Sequence, residues 1–323
     1  MKTAVAIAAM LLISLSSSSP VRACSICRCG DPTFNALGTD VYTAGRFRLA
    51  LDWDRFDKEN GVASSGGSIR SRRILDSSLA GGDRELENRF TATLSYSFGE
   101  NVNAVVRLPW SLRRLTSTDP DLGQSVTTRT NDLSDPEIYA LIRVWSAEFS
   151  PGLGRRSWLS LIGGVRTSWG RNSLSEGGTR LDEHAQAGTC ATDIFAGISA
   201  VYLLDPSSSL FSSAQYRRTG TNDFGYRYGN VSLANVAYER KLGTVVDGVV
   251  ELNYRHAQQD QVDEDGSTDT NTGGDILYLT PRVILNFGGG LLGRISVQVP
   301  LLRSLYGDQT ERLVVNAGLT ILF

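Results

Sequence analysis

Residues 90–112 read FTATLSYSFGENVNAVVRLPWSL. In the first nine, Phe90, Ala92, Leu94, Tyr96 and Phe98 alternate with Thr91, Thr93, Ser95 and Ser97. An extended chain with this order shows one apolar face and one hydroxyl face. After Gly99-Glu100-Asn101 the alternation resumes. Val102, Ala104, Val106, Leu108, Trp110 and Leu112 stand against Asn103, Val105, Arg107, Pro109, Ser111 and Arg113. Two such runs with three turn residues between them predict a hairpin.

The period of two continues on both sides. Phe47, Leu49, Leu51 and Trp53 oppose Arg46, Arg48, Asp52 and Asp54. Ile295, Val297, Val299 and Leu301 oppose Arg294, Ser296, Gln298 and Pro300. Leu313, Val315, Ala317, Leu319, Ile321 and Phe323 form one face of a last strand. About twelve strands are predicted, near 41–56, 87–98, 102–115, 135–147, 156–169, 189–203, 209–219, 227–240, 246–257, 275–287, 291–304 and 311–323. Most exceed the ~9–11 residues that a tilted strand needs to cross a bilayer.

Connector lengths point the same way. The stretches 57–86, 116–134, 170–188, 220–226, 258–274 and 305–310 are polar and mostly long, whereas 99–101, 148–155, 204–208, 241–245 and 288–290 are short. Long and short sets alternate, as when one end of a membrane barrel bears extracellular loops and the other bears periplasmic turns. The expected fold is all-β: a transmembrane, antiparallel, up-and-down β-barrel over 41–323. Its apolar faces would meet outer-membrane lipid, and Trp53, Trp110, Trp158, Trp169 and Phe323 would supply interfacial girdles.

The N-terminus fits export. Lys2 precedes an uncharged run from Ala4 to Leu15, and Val21-Arg22-Ala23 suits cleavage after Ala23. Residues 1–23 are therefore read as a signal peptide. The apolar run is shorter than the roughly 20 residues of a spanning helix. The chain carries 32 Lys+Arg against 34 Asp+Glu, a balance that makes no case for nucleic acid.

Cys24-Ser25-Ile26-Cys27-Arg28-Cys29 would open the mature chain, within a periplasmic segment at 24–40. Cys24, Cys27 and Cys29 can hold a soft metal ion, form a disulfide in an oxidising compartment, or dock a periplasmic redox partner. Cys24 is also a candidate for lipidation. Cys190 falls at the opposite barrel end and is expected to stay unbonded to this cluster.

The inward face is predicted to carry Arg46, Arg48, Arg107, Arg166, Arg255, Arg282 and Arg294 together with Asp52, Asp54 and Glu251. Two readings stay open: a charged lumen that selects solutes, or an ion-pair network that plugs a narrow barrel. The acidic loop around Asp260, Asp263, Glu264, Asp265 and Asp269 does not fit an EF-hand. With Gly266 as the turn glycine, Gln261 and Thr272 occupy positions that need carboxylates. A hydrolytic set needs a His with a Ser and a carboxylate; Asp182-Glu183-His184 lies in a loop and His256 lies near a strand end with no serine nearby in sequence, so no enzymatic activity is expected.

The order of several segments resembles the outer-membrane barrels known as phenol meta-pathway transporters. These are residues 94–110 with their Leu-Pro-aromatic end, Leu133-Ser134-Asp135-Pro136 ahead of a strand, and the closing region 279–323 with Thr280-Pro281, Val299-Pro300-Leu301, Gln309 and Phe323. The resemblance implies passive passage of small molecules across the outer membrane. A terminal Phe after alternating apolar residues is similar to the signal read by the barrel-assembly machinery. The cysteine-bearing N-terminus departs from that family's pattern.

Overall fold

The computed structural model describes residues 45–60, 84–118, 125–148, 156–176, 179–181, 183–261, 267–269, 272–307 and 309–323. Cys24, Cys27, Cys29 and the signal segment lie outside them.

Twelve antiparallel strands close into a barrel: β1 (Phe47–Asn60), β2 (Arg84–Ser97), β3 (Val102–Thr118), β5 (Glu137–Glu148), β6 (Arg156–Arg166), β9 (Asp193–Asp205), β10 (Ser208–Arg218), β11 (Val231–Lys241), β12 (Val246–Ala257), β13 (Gly274–Gly288), β14 (Leu291–Leu305) and β16 (Val314–Leu322). Two further strands extend the wall at the long-loop end. β4 (Ser125–Leu133) pairs with β3, and β15 (Gln309–Glu311) pairs with β1. A two-residue hairpin, β7 (Ser175–Glu176) and β8 (Thr179–Arg180), sits apart from the wall.

Closure runs between β1 and β16, from Arg48↔Leu322 to Arg55↔Val315. The terminal residue completes it: Phe47 N donates to Phe323 O (2.8 Å) and Phe323 N donates to Phe47 O (3.0 Å). An open sheet in hydrocarbon would leave a row of unpaired backbone groups, each costing several kcal/mol, and closure removes that row.

Burial is inverted relative to a soluble domain. On β2 the side chains of Glu85, Glu87, Thr91, Thr93, Ser95 and Ser97 are buried, while Phe90 and Leu94 are 47% and 43% exposed. Ile295 and Leu319 are 58% and 54% exposed. Polar faces line the interior and apolar faces form the outer wall, which only lipid can cover favourably.

The wall is uneven at the long-loop end. Residues 134–136 join β4 to β5 along a single line, opposite Leu108 and Pro109 of β3. The register passes from Trp110↔Leu133 to Arg107↔Glu137, so three residues face two. This bulge bends the strand and re-aims its side chains. Just beyond it β6 ends at Arg166 and β9 begins at Asp193. The expected strands at 156–169 and 189–203 therefore stop short of Trp169 and Thr189.

Candidate functional site

Residues 183–189, at the end of the expected long polar loop 170–188, fold back into the barrel. Glu183, His184, Ala185, Gln186, Ala187, Gly188 and Thr189 are all buried. The neck of this loop is set by Asp135, one residue into the bulge. The Asp135 carboxylate accepts hydrogen bonds from Gly170 N (2.9 Å), Thr189 N (2.7 Å) and Thr189 Oγ1 (2.6 Å). Gly170 and Gly188 pass backbone against backbone, and a Cβ on Gly188 would collide with Gly170.

The tip is held from several strands. Thr130 Oγ1 donates to Ala185 O (2.6 Å), Tyr228 Oη to Glu183 O (3.0 Å), and Arg113 to the carbonyls of His184 and Gln186. The Gln186 amide ties the loop to itself through Leu174 and Leu181. Arg180 grips Glu183 with two bonds of 2.8 Å and lies 3.6 Å over the Phe224 ring.

Under the tip lies a cavity of about 80 Å³. Five guanidinium groups border it (Arg89, Arg107, Arg113, Arg166 and Arg217), with the carboxylates of Asp135, Glu137 and Glu183. Glu137 bridges two of the arginines. It takes Arg107 at 2.9 Å from the adjacent strand and Arg217 from β10, three strands along the wall. Arg166 meets Asp193. Glu87 faces Arg89 at 3.0 Å and Arg113 at 3.6 Å. Below the charges, Val105, Tyr139, Leu141, Ile162 and Phe195 form a buried apolar layer on the same side, and Arg217 lies 5.2 Å over the Phe195 ring. Charged groups thus sit directly above an aromatic floor.

The other predicted arginines are placed as follows. Arg282 pairs with Glu251 at 3.0 Å, Arg255 with Glu311 at 2.8 Å, and Arg294 with Asp52. Asp54 accepts from the Asn316 amide at 2.6 Å, and Arg48 is buried on the inner face. Arg46 is a correction: it precedes β1 and is exposed, because the inward pattern starts only with the first paired residues. Sequence reasoning missed Glu137, Arg217 and Glu311; it placed Arg113 on the polar strand face and Asp135 in a strand-entry motif without giving either a role in the site. Period-two parity carries the signal for Arg217 and Glu137. Asp135 carries none beyond its place before Pro136.

His184 is buried beside Tyr226, Tyr228, Asp260, Asp269, Glu183, Arg113 and Lys58. Its Nε2 lies 2.8 Å from Tyr226 Oη, which donates to Asp260 at 2.6 Å. Burial, reinforced by Arg113 and Lys58, pushes the imidazole down to about 3. The unfolded chain then binds one more proton than the folded one between about pH 6.5 and the depressed value, so this group's contribution to stability is full above that window and falls with acidification. The thermal unfolding midpoint of the wild type is expected to fall more steeply from about pH 7 to about pH 4 than that of His184→Gln. Parallel profiles would remove His184 as the cause. Cys190, at φ 57°, carries a free thiol 3.4 Å from Asp223 Oδ2.

No protein-family profile and no curated protein sequence matches the chain. Among solved structures, it is similar to an outer membrane channel from Pseudomonas putida F1. The identity is 10%, 88% of this chain and 98% of that one are covered, and the TM-score is 0.64. The translocator domain of the autotransporter NalP from Neisseria meningitidis follows at 11% identity, 86% and 88% coverage and a TM-score of 0.48. The monoaromatic hydrocarbon channel CymD gives 9%, 90% and 92%, with 0.44. At 10% identity the likeness to the Pseudomonas putida channel is one of fold: a β-barrel of the outer-membrane type.

Proposed function

We propose that the protein is an outer-membrane channel that passes small organic anions passively through its arginine-rich lumen. The observation that carries this reading is the chamber under the folded-in loop. There, five guanidinium groups line the chamber, and one of them, Arg217, lies 5.2 Å over the Phe195 ring of the neighbouring apolar layer. A small carboxylate with an apolar body matches both layers, since guanidinium binds carboxylate bidentately and the ring or chain rests on apolar surface. The outer-membrane channel from Pseudomonas putida supports the architecture.

The chamber of about 80 Å³ holds a few waters and is well below the ~300–1,000 Å³ of pockets that enclose drug-sized ligands. The chamber is thus too small for an organic anion as it stands, and passage through it requires the segment 183–189 to shift. In planar bilayers the folded protein is expected to conduct, with benzoate more permeant than a cation of similar size. A folded barrel with no conductance under any applied voltage would sink the proposal.

The constricted, ion-paired lumen also favours a second reading: a non-conducting barrel whose Cys24, Cys27 and Cys29 bind a soft metal or meet a periplasmic partner. Metal analysis of wild type against Cys27→Ser/Cys29→Ser tests it, and equal metal content would count against it.

A further inference from the structure

The arginines of this barrel fall into two sets by the face they occupy. On the inner face Arg89, Arg107, Arg113, Arg166, Arg217, Arg255, Arg282 and Arg294 each lie against a carboxylate. On the outer face of β1 to β4 the pattern differs. Arg55, Arg114 and Arg129 are exposed, and among the described residues none of the three is ion-paired. Arg84, also on this face, is held by Asp57 at 2.9 Å.

Register brings the three together. Arg114 of β3 is directly opposite Arg129 of β4. Like charges in that position repel and destabilise a strand pair unless a counter-charge bridges them. Arg55 of β1 is opposite Asn88, which is opposite Leu112, two residues below Arg114 on the same face. With strands about 4.8 Å apart and about 3.4 Å of rise per residue, the three Cα positions lie within the reach of long side chains converging on one headgroup.

Their height on the wall identifies the partner. Trp53 and Trp110 share a register row, through Phe90. Each indole N–H is fixed to an amide one step higher on the outer face, Trp53 to Asn88 (3.3 Å) and Trp110 to Asn131 (2.8 Å). Such indoles mark the boundary of the hydrocarbon. Arg114 is four residues beyond Trp110, roughly 14 Å along a tilted strand, which is headgroup level at the long-loop end. The opposite rim of the same face carries an aromatic cluster instead: Phe47 against Tyr96 and stacked with Phe323, and Tyr96 edge-on to Phe98.

We propose that Arg55, Arg114 and Arg129 form a docking surface for the phosphate groups of an outer-leaflet glycolipid headgroup. Guanidinium groups pair with phosphate oxygens bidentately, the bound phosphates relieve the Arg114–Arg129 repulsion, and the acyl chains continue down the apolar wall below Trp110.

The test uses the full-length barrel in a zwitterionic detergent, with thermal unfolding followed by heat-modifiable gel mobility. Diphosphorylated lipid A in mixed micelles is expected to raise the wild-type midpoint by several degrees. Arg114→Gln/Arg129→Gln should bind it roughly thirtyfold more weakly, in keeping with the loss of two surface charges, whereas Arg84→Gln should respond as wild type. Arg129→Gln alone gives a milder variant whose response should be intermediate, keeping the test decisive if the double variant folds poorly. Equal response by the double variant, or an equal effect of dephosphorylated lipid A, overturns the proposal. An equal effect of inorganic phosphate overturns the lipid as the source of the anion.

Discussion

Asp135→Ala should raise single-channel conductance several-fold in planar bilayers while the barrel still folds. The Asp135 carboxylate is the common acceptor for Gly170 N, Thr189 N and Thr189 Oγ1, the two ends of the folded-in loop. Hydrogen bonds to a charged group are each worth about 1.5–3 kcal/mol, so losing three shifts the balance between seated and released loop by roughly 4 kcal/mol or more. The remaining bonds from Thr130, Tyr228 and Arg113 hold the tip, and the neck keeps only backbone bonds such as Gly188 N to Arg171 O and Arg171 N to Leu133 O. The barrel wall itself is closed by backbone pairing elsewhere, so heat-modifiable mobility should persist. Unchanged conductance in a folded Asp135→Ala protein would mean that the loop 167–192 does not set the constriction.

Glu137→Gln should be the costliest single substitution in the lumen. Glutamine keeps the shape but removes the charge shared by Arg107 and Arg217. Breaking one partner of a buried pair typically costs about 3–5 kcal/mol, because the remaining charge stays buried and uncompensated. Here two guanidinium groups are left. The same change adds one net positive charge to the chamber, so the reversal potential across a KCl gradient should move toward anion selectivity. Glu137→Asp, which keeps the charge, should restore much of the stability. An unchanged reversal potential in the glutamine variant would place the conducting path elsewhere than past Glu137.

The strands were largely legible from sequence. The hairpin at 90–112 appears as β2 and β3, with Val102 as the first residue after the turn. The alternation at 275–287 and 291–304 appears as Gly274–Gly288 and Leu291–Leu305. Each strand is a local pattern, and neighbouring strands pair with the next one along the chain, so period two also assigns the inner and outer faces. β4, β7, β8 and β15 were not legible. Ser125–Leu133 reads as polar loop because its inner face meets other polar groups, and Gln309–Glu311 is too short to show a period.

The site divides in the same way. Parity along the chain is enough to turn Arg107, Arg166, Arg255, Arg282 and Arg294 inward, and the closing role of Phe323 follows from its place at the end of an alternating run. Which carboxylate each arginine meets is decided only by closure. Glu137 reaches Arg217 from a strand 80 positions away, and Arg255 reaches Glu311 across 56. The fold-back of 167–192 is likewise a tertiary outcome. In a barrel with a polar interior, a loop seated inside needs the same Gly, Ser, Glu and Gln as a loop in water, so no hydrophobic period announces its burial. The strand pattern could be read locally because lipid demands apolar faces; the plug could not, because the lumen makes no such demand.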